Sequence, residues 1–386
     1  MESDNKLFLL DAYALIYRAY YAFIKNPRIN SKGFNTSAIL GFVNTLEEVL
    51  KKENPSHIGV AFDPSGPTFR HEAFEQYKAQ REETPEAIRL SVPIIKDIIH
   101  AYRIPILEVA GYEADDVIGT LATEAGRQGI TTYMMTPDKD YGQLVTDNVF
   151  MYRPKHTGGF EVMGIEEVKA KFDIQSPAQV IDMLGLMGDA SDNIPGCPGV
   201  GEKTAQKLIA EFGSIENLLE HTDQLKGALK TKVETNKELI TFSKFLATIK
   251  IDVPIQLEMD KLVREQADED SLRQIFEELE FRTLIDRVLK KENSAGGVTM
   301  ATGSKTATAK SAPSPLPLFP EEGGAIQGDL FANFTGNEAG EAKKSNLETL
   351  ETLNCDYQLI DTEKKRAEII QKLLTSKILS LDTETT

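Results

Sequence analysis

Residues 1–155 alternate strand-length apolar runs with amphipathic helix-length segments, and three of the runs end in acids. Residues 7–10, 57–62, 104–109 and 131–135 read as strands. Between the first two, Ser37–Lys52 places Ile39, Phe42, Val43, Leu46, Val49 and Leu50 at helical spacing. Such alternation predicts an α/β domain on a central, largely parallel sheet. Ligands of open parallel sheets bind outside the carboxyl ends of the strands. Leu10 runs into Asp11, Phe62 into Asp63, and Met135 soon reaches Asp138 and Asp140. Acids distant in sequence are therefore predicted to meet at one sheet edge. The segment from Gly111 opens the helix after the third strand and adds Glu113, Asp115 and Asp116 there. Residues 188–193 supply Asp189 and Asp192 from a helical region.

Nine carboxylates in one pocket repel each other and resist ionisation, and divalent cations resolve the conflict. Oxygen ligands without His or Cys in these motifs suit Mg2+ or Mn2+ better than zinc. Mg2+ keeps several waters, so some of the nine are expected to hold waters of the ion. Each position also has a plainer reading. An Asp after a strand can cap a helix or form a turn, and Asp115 and Asp116 can complement a helix dipole. Co-location is what coincidence explains poorly. The net charge of −17 weighs against a nucleic-acid partner, but subtracting the nine candidate ligands leaves −8, which local basic patches can overcome.

Residues 160–290 read as mostly helical, with segments at 164–172, 177–188, Glu202–Phe212 and 268–290, and Gly213 as a helix stop. Gly199 and Gly201 lie between two helical segments, followed by Lys203 and Lys207, a helix-hairpin-helix-like pattern for gripping a nucleic-acid backbone. An ordinary glycine-rich connection is the alternative. In residues 64–83, Arg70, His71, Lys78 and Arg81 interleave with Phe69, Phe74 and Tyr77, which suits a single strand; the same composition also suits a solvated helix. Residues 292–345 lose periodicity and read as a flexible linker. Order returns from Tyr357, and the chain reads as a fragment that stops inside a third domain. The longest apolar runs are too short to span a membrane. The N-terminus lacks a secretory pattern, and two distant cysteines fit a reducing cytoplasm.

The stretches around Asp11, Asp63 to Ala79, Gly111 to Asp116, Thr136 to Asp140 and Gly188 to Ala205 together resemble the 5′-nuclease domain of the bacterial DNA polymerase I family, relatives of the flap endonucleases. The resemblance covers roughly residues 5–290 and finds all nine acidic positions filled. It implies a PIN-like catalytic α/β domain over 1–175 with a helical arch near 64–90, then a helix-hairpin-helix DNA-binding subdomain over 176–290. The linker is placed at 291–345, and 346–386 is the start of a ribonuclease H-like 3′–5′ exonuclease domain, where Asp382 and Glu384 would bind metal. It also implies two-metal phosphodiester hydrolysis at 5′ flaps, nicks and 5′ ends, as in primer removal and repair. Lys78 and Arg81 would reach the scissile phosphate, and Arg70 and Tyr77 would contact DNA. Gly199, Gly201 and Lys203 would hold the duplex with a monovalent cation such as K+. Gln327, Asp329, Leu330 and Phe331 resemble a sliding-clamp-binding peptide, with Gly328 departing from the pattern. A monomer is expected. A DNA-binding module without turnover, a compact RNA-cutting nuclease and a polymerase are the rival readings; the filled acidic site, the hairpin and the missing polymerase motifs weigh against them respectively.

Overall fold

The computed structural model describes residues 5–155, 158–289 and Lys365. The linker, the clamp-type peptide at Gln327 to Phe331, and Asp382 and Glu384 lie outside the described residues. Packing groups the chain into two units, 1–334 and 335–386, and residues 5–289 belong to the first.

The elements run β1 (Lys6–Asp11), α1 (Ala12–Ala22), α2 (Ser37–Lys52), β2 (His57–Ala61), α3 (Phe69–Ala73), α4 (Glu86–Ala101), β3 (Ile106–Leu107), α5 (Ala114–Arg127), β4 (Thr131–Met135), β5 (Val149–Pro154) and β6 (Phe160–Met163). There follow α6 (Ile165–Phe172), α7 (Val180–Met187), α8 (Glu202–Phe212), α9 (Ile215–Glu220), α10 (Gly227–Thr235), α11 (Lys237–Ala247), α12 (Met259–Leu262), α13 (Glu269–Glu278) and α14 (Arg282–Leu289).

The six-stranded sheet has the order β3-β2-β1-β4-β5-β6. It is parallel from β3 to β5, and β6 is antiparallel to β5. β1 is apolar and buried along nearly its whole length, as a central parallel strand covered on both faces must be. Phe8 and Leu10 face one apolar cluster with α2 and α4, while Leu7 and Leu9 face another with α5 and α7. Leu10 lies in register with Val60 of β2 and Met135 of β4, so the three strands end level. The chain passes from β1 to β2 on one side and returns to β4 on the other. The carboxyl end of β1 is therefore the point where the strand order switches and a ligand crevice opens.

Some expected elements change. Residues 104–109 lie beside β2, with Val60 N–H donating to Pro105 O and Phe62 N–H to Leu107 O, but only Ile106–Leu107 pairs as a strand. The helix expected over 268–290 breaks between α13 and α14, where Glu280 adopts a φ of 64°. The β5–β6 hairpin, turned by Gly158 and Gly159 at positive φ, adds an antiparallel edge beyond the four strands expected from the sequence. The arch region is not one helix: after the five residues of α3 the chain is irregular until Glu86. Lys78 sits there at a φ of 56°, outside the helical basin.

Candidate functional site

Each strand end delivers its acid. Asp11 caps α1, accepting from Ala14 N–H at 3.1 Å through Oδ1, while Oδ2 accepts from the Thr136 and Tyr141 hydroxyls, both at 3.2 Å. Burial, then the charge of Asp63, push the Asp11 carboxyl up to about 7. Asp63, after β2, accepts from Ala114 N–H at 2.7 Å and so ties the end of β2 to the start of α5. Asp138, after β4, accepts from Asp140 N–H at 2.9 Å. Burial, then neighbouring acids, hold Asp140 well above the carboxylate range, and one of its oxygens is buried without a hydrogen-bond partner.

At the start of α5, ligand oxygens of Glu113, Asp115 and Asp116 lie within 4.8 Å of one another. Their surroundings differ. Asp116 is fully buried, and each of its oxygens accepts two bonds: Oδ1 from Arg70 Nη2 and Lys250 N–H, both at 2.8 Å, and Oδ2 from Arg70 Nη1 at 2.7 Å and Glu113 N–H at 3.1 Å. Asp115 is part-exposed; burial, then Asp116, push its carboxyl well up. Burial opposes ionisation of Glu113 too, but Lys78 and Arg70 outweigh it and hold this carboxyl below its ordinary value.

Asp189 and Asp192 arrive from the helical region on a loop closed by backbone contact. Asp189 N–H donates to Ile194 O at 2.9 Å, and Ile194 N–H returns to Asp189 O at 2.8 Å. Gly188 and Gly196 permit this closure: a Cβ on Gly196, at a φ of 62°, would lie 2.3 Å from Gly188 N. Segment 76–81 is bonded onto the loop. Lys78 N–H donates to Asp192 O at 3.0 Å, Gln80 Nε2 to Ala190 O at 2.7 Å, and Asn193 Nδ2 to Gln76 O at 2.6 Å. Lys78 Nζ bonds Glu113 at 2.7 Å and lies 3.7 Å from Asp192, which Arg81 pairs at 2.6 Å. Burial disfavours the Lys78 ammonium, but Asp192 and Glu113 more than compensate, so its pKa is raised and the charge persists at neutral pH.

Two expectations are corrected. Arg70 is 1% exposed and spends all five N–H groups inside the protein: on Leu246 O, on Thr248 O, on Glu113 and twice on Asp116. It cannot also grip a strand of DNA. Its position opposite a fully buried carboxylate requires that pairing. Tyr77 is likewise buried at 3% exposure, its hydroxyl donating to Glu113 at 2.9 Å and Asp192 at 3.1 Å, so it offers no ring to a base. Gly199, Gly201 and Lys203 lie exposed at the turn into α8. There the Gly199 carbonyl accepts from Lys232 Nζ at 3.1 Å. Lys139, 3.1 Å from Asp189, joins the site although the sequence reading assigns it no role between Asp138 and Asp140. Tyr141 and Lys232 carry no local signal, because their partners Asp11 and Gly199 are distant in sequence.

Fold and site define a class: an α/β domain that gathers carboxylates at the switch point of its sheet, followed by a helical region with a glycine hairpin. Residues 6–173 match the 5′-3′ exonuclease N-terminal resolvase-like domain, and residues 175–270 match the 5′-3′ exonuclease C-terminal SAM fold. The chain belongs to the 5′-3′ exonuclease family and is a nuclease by that membership. It is 40% identical over 287 residues to the DNA polymerase I of Bacillus caldotenax, which covers 74% of this chain and 32% of the relative. It is 43% identical over 291 residues to the DNA polymerase I of Bacillus subtilis, covering 75% and 33%. The chain thus spans about a third of the length of these curated relatives. In fold it is similar to T5 5′-exonuclease with bound zinc, at a TM-score of 0.54 and 22% identity, covering 70% of this chain and 98% of that one. A bacteriophage T5 flap endonuclease in a complex with DNA and metal ions is similar at a TM-score of 0.52 and 23% identity, covering 71% and 99%.

Proposed function

We propose that this chain hydrolyses DNA phosphodiesters at 5′ flaps, nicks and 5′ ends with divalent cations, as the 5′-nuclease part of a DNA polymerase I acting in primer removal and repair. The observation that carries this reading is the crowding of acids at the switch point. Asp11, Asp115, Asp138 and Asp140 all have raised pKa values, burial first and neighbouring acids next, and an Asp140 oxygen lacks a partner. A site of this kind fits Mg2+ or Mn2+, with Asp11, Asp63, Glu113, Asp115, Asp138, Asp140, Asp189 and Asp192 as direct or water-mediated ligands. This reading departs from the expectation that all nine acids are ligands: Asp116 lies in the same oxygen cluster as Glu113 and Asp115, but its four donors assign it to orienting the start of α5. When bound, divalent ions make hydroxide available near neutral pH and offset charge growing on the phosphoryl oxygens.

Lys78 and Arg81 keep their positive charge against Glu113 and Asp192, and they face an incoming phosphodiester as charge-stabilising groups. Arg70 holds α3, α5 and the carbonyls at the end of α11 in one arrangement, so the base of the arch and the acidic cluster move together. We assign catalysis to residues 1–175 and duplex binding to 176–290, where Gly199, Gly201 and Lys203 meet the backbone. K+ at that hairpin would have to share the Gly199 carbonyl with Lys232. Gln327, Asp329, Leu330 and Phe331 are proposed to tether a monomeric, cytoplasmic enzyme to a sliding clamp; a linker peptide without saturable clamp binding overturns that. Among the described residues no helix is long and apolar enough to cross a membrane. The test of the main reading is product mapping on 5′-flap, nicked and 3′-flap duplexes. Cutting at the 5′-flap junction and sparing of the 3′ flap support it, and equal cutting of both contradicts it.

A further inference from the structure

Resting on the reading of the hairpin as a duplex grip, we propose that Lys232 is the cation of that grip: its ammonium bridges the Gly199 carbonyl and a phosphate of the bound DNA. A tight turn that presents a carbonyl outward repels the phosphate it is meant to approach. Here the Gly199 carbonyl carries a charge of the right sign, with Lys232 Nζ at 3.1 Å. Lys232 reaches the turn from α10, which neighbouring Val233, fully buried, anchors in the core. The Cys197 thiol, just before the turn, lies 3.9 Å from the Lys232 carbonyl, so helix and turn touch at two points.

The φ of 76° at Gly199 calls for glycine, and the absence of a side chain there leaves room for Lys232 Nζ, which would lie 2.5 Å from a Cβ. Nearby Lys230 pairs with Glu234, whereas Lys232 is exposed and makes no ion pair among the described residues. One of its three N–H groups is used on Gly199, and two remain for a phosphate. An ammonium built into the chain makes the grip independent of which monovalent salt surrounds it.

The experiment measures anisotropy of a fluorescent 5′-flap duplex with the full chain in EDTA, where no cutting intervenes, in KCl and in NaCl at equal ionic strength. Wild type is expected to bind equally in both salts. Lys232→Met is expected to bind about tenfold more weakly, with a slope of log affinity on log salt shallower by about one. Lys232→Arg should keep most of the affinity. Lys232 is exposed, so the variants are expected to retain the wild-type melting curve, which checks that any loss is local. Wild-type binding that is tighter in KCl than in NaCl, or a Lys232→Met variant with unchanged affinity and slope, overturns the proposal alone. Absence of saturable wild-type binding overturns it together with the nuclease reading.

Discussion

Replacing Arg70 with Met separates an internal role from a DNA-contacting one. The substitution keeps much of the side-chain volume and removes all five donors. Asp116, 0% exposed, then loses two of its four hydrogen bonds and its counter-ion. Removing one partner of a buried ion pair costs about 3–5 kcal/mol, because the remaining charge is stranded. The carbonyls of Leu246 and Thr248 lose their Arg70 donors as well, which pushes toward the upper end of that range. A whole domain is stable by only about 5–15 kcal/mol, so Arg70→Met should lower the melting temperature on the order of 10 °C. The chain has no Trp, so far-UV circular dichroism in urea, with EDTA present, is the suitable assay. Arg70→Lys should recover only part of the loss, since an ammonium cannot make the two parallel bonds of a guanidinium. A loss below about 1 kcal/mol, together with weakened flap binding, would refute the internal role and restore the DNA contact that the family resemblance implied.

Three further outcomes follow from the site. Lys78→Met should slow single-turnover flap cleavage by about 100-fold or more while the metal-free fold persists; an unchanged rate would remove Lys78 from the chemistry. Asp11 has a folded pKa of about 7 against an ordinary 3.8, so the folded state binds the extra proton and metal-free stability falls as pH rises between those values. That rise of about three pH units at 1.36 kcal/mol each bounds the effect near 4 kcal/mol. Melts in EDTA should therefore show Asp11→Asn gaining stability over wild type at pH 7.5 relative to pH 5, and Mn2+ should raise the wild-type melting temperature more at pH 7.5; pH-independent differences would contradict this. Gly196→Ala should cost more than about 2 kcal/mol through its backbone clash and positive φ, and it should weaken Mn2+ binding measured by calorimetry, because the Asp189–Asp192 loop can no longer close.

Much of this was legible in the sequence, for definite reasons. Ser37–Lys52 and Thr131–Met135 appear where periodicity placed them, because one buried face imposes one period. The acids after β1, β2 and β4 converge because parallel strands end at one edge, a rule that needs no contacts to apply. What stayed hidden depends on partners far along the chain. Arg70 among aromatics looks like a nucleic-acid contact, and only the folded position of Asp116 and the end of α11 shows where its donors go. Lys78 reads as part of a helix by composition, but bonding to the 189–193 loop holds it at a positive φ. Lys232 lies 33 residues from Gly199, beyond the reach of any local pattern.

On this reading the acids at the switch point carry metal-dependent cutting. The direct measurement is cleavage of a labelled 5′-flap duplex with Mg2+ and with EDTA, comparing wild type with Asp115→Asn, an acid that is part-exposed and less entangled in the fold than Asp116. The expected result is Mg2+-dependent cutting near the flap junction that is abolished in EDTA and lost in the variant, with the variant's melting curve intact. Tight flap binding without cutting under any divalent metal, or full cutting by Asp115→Asn, would contradict it.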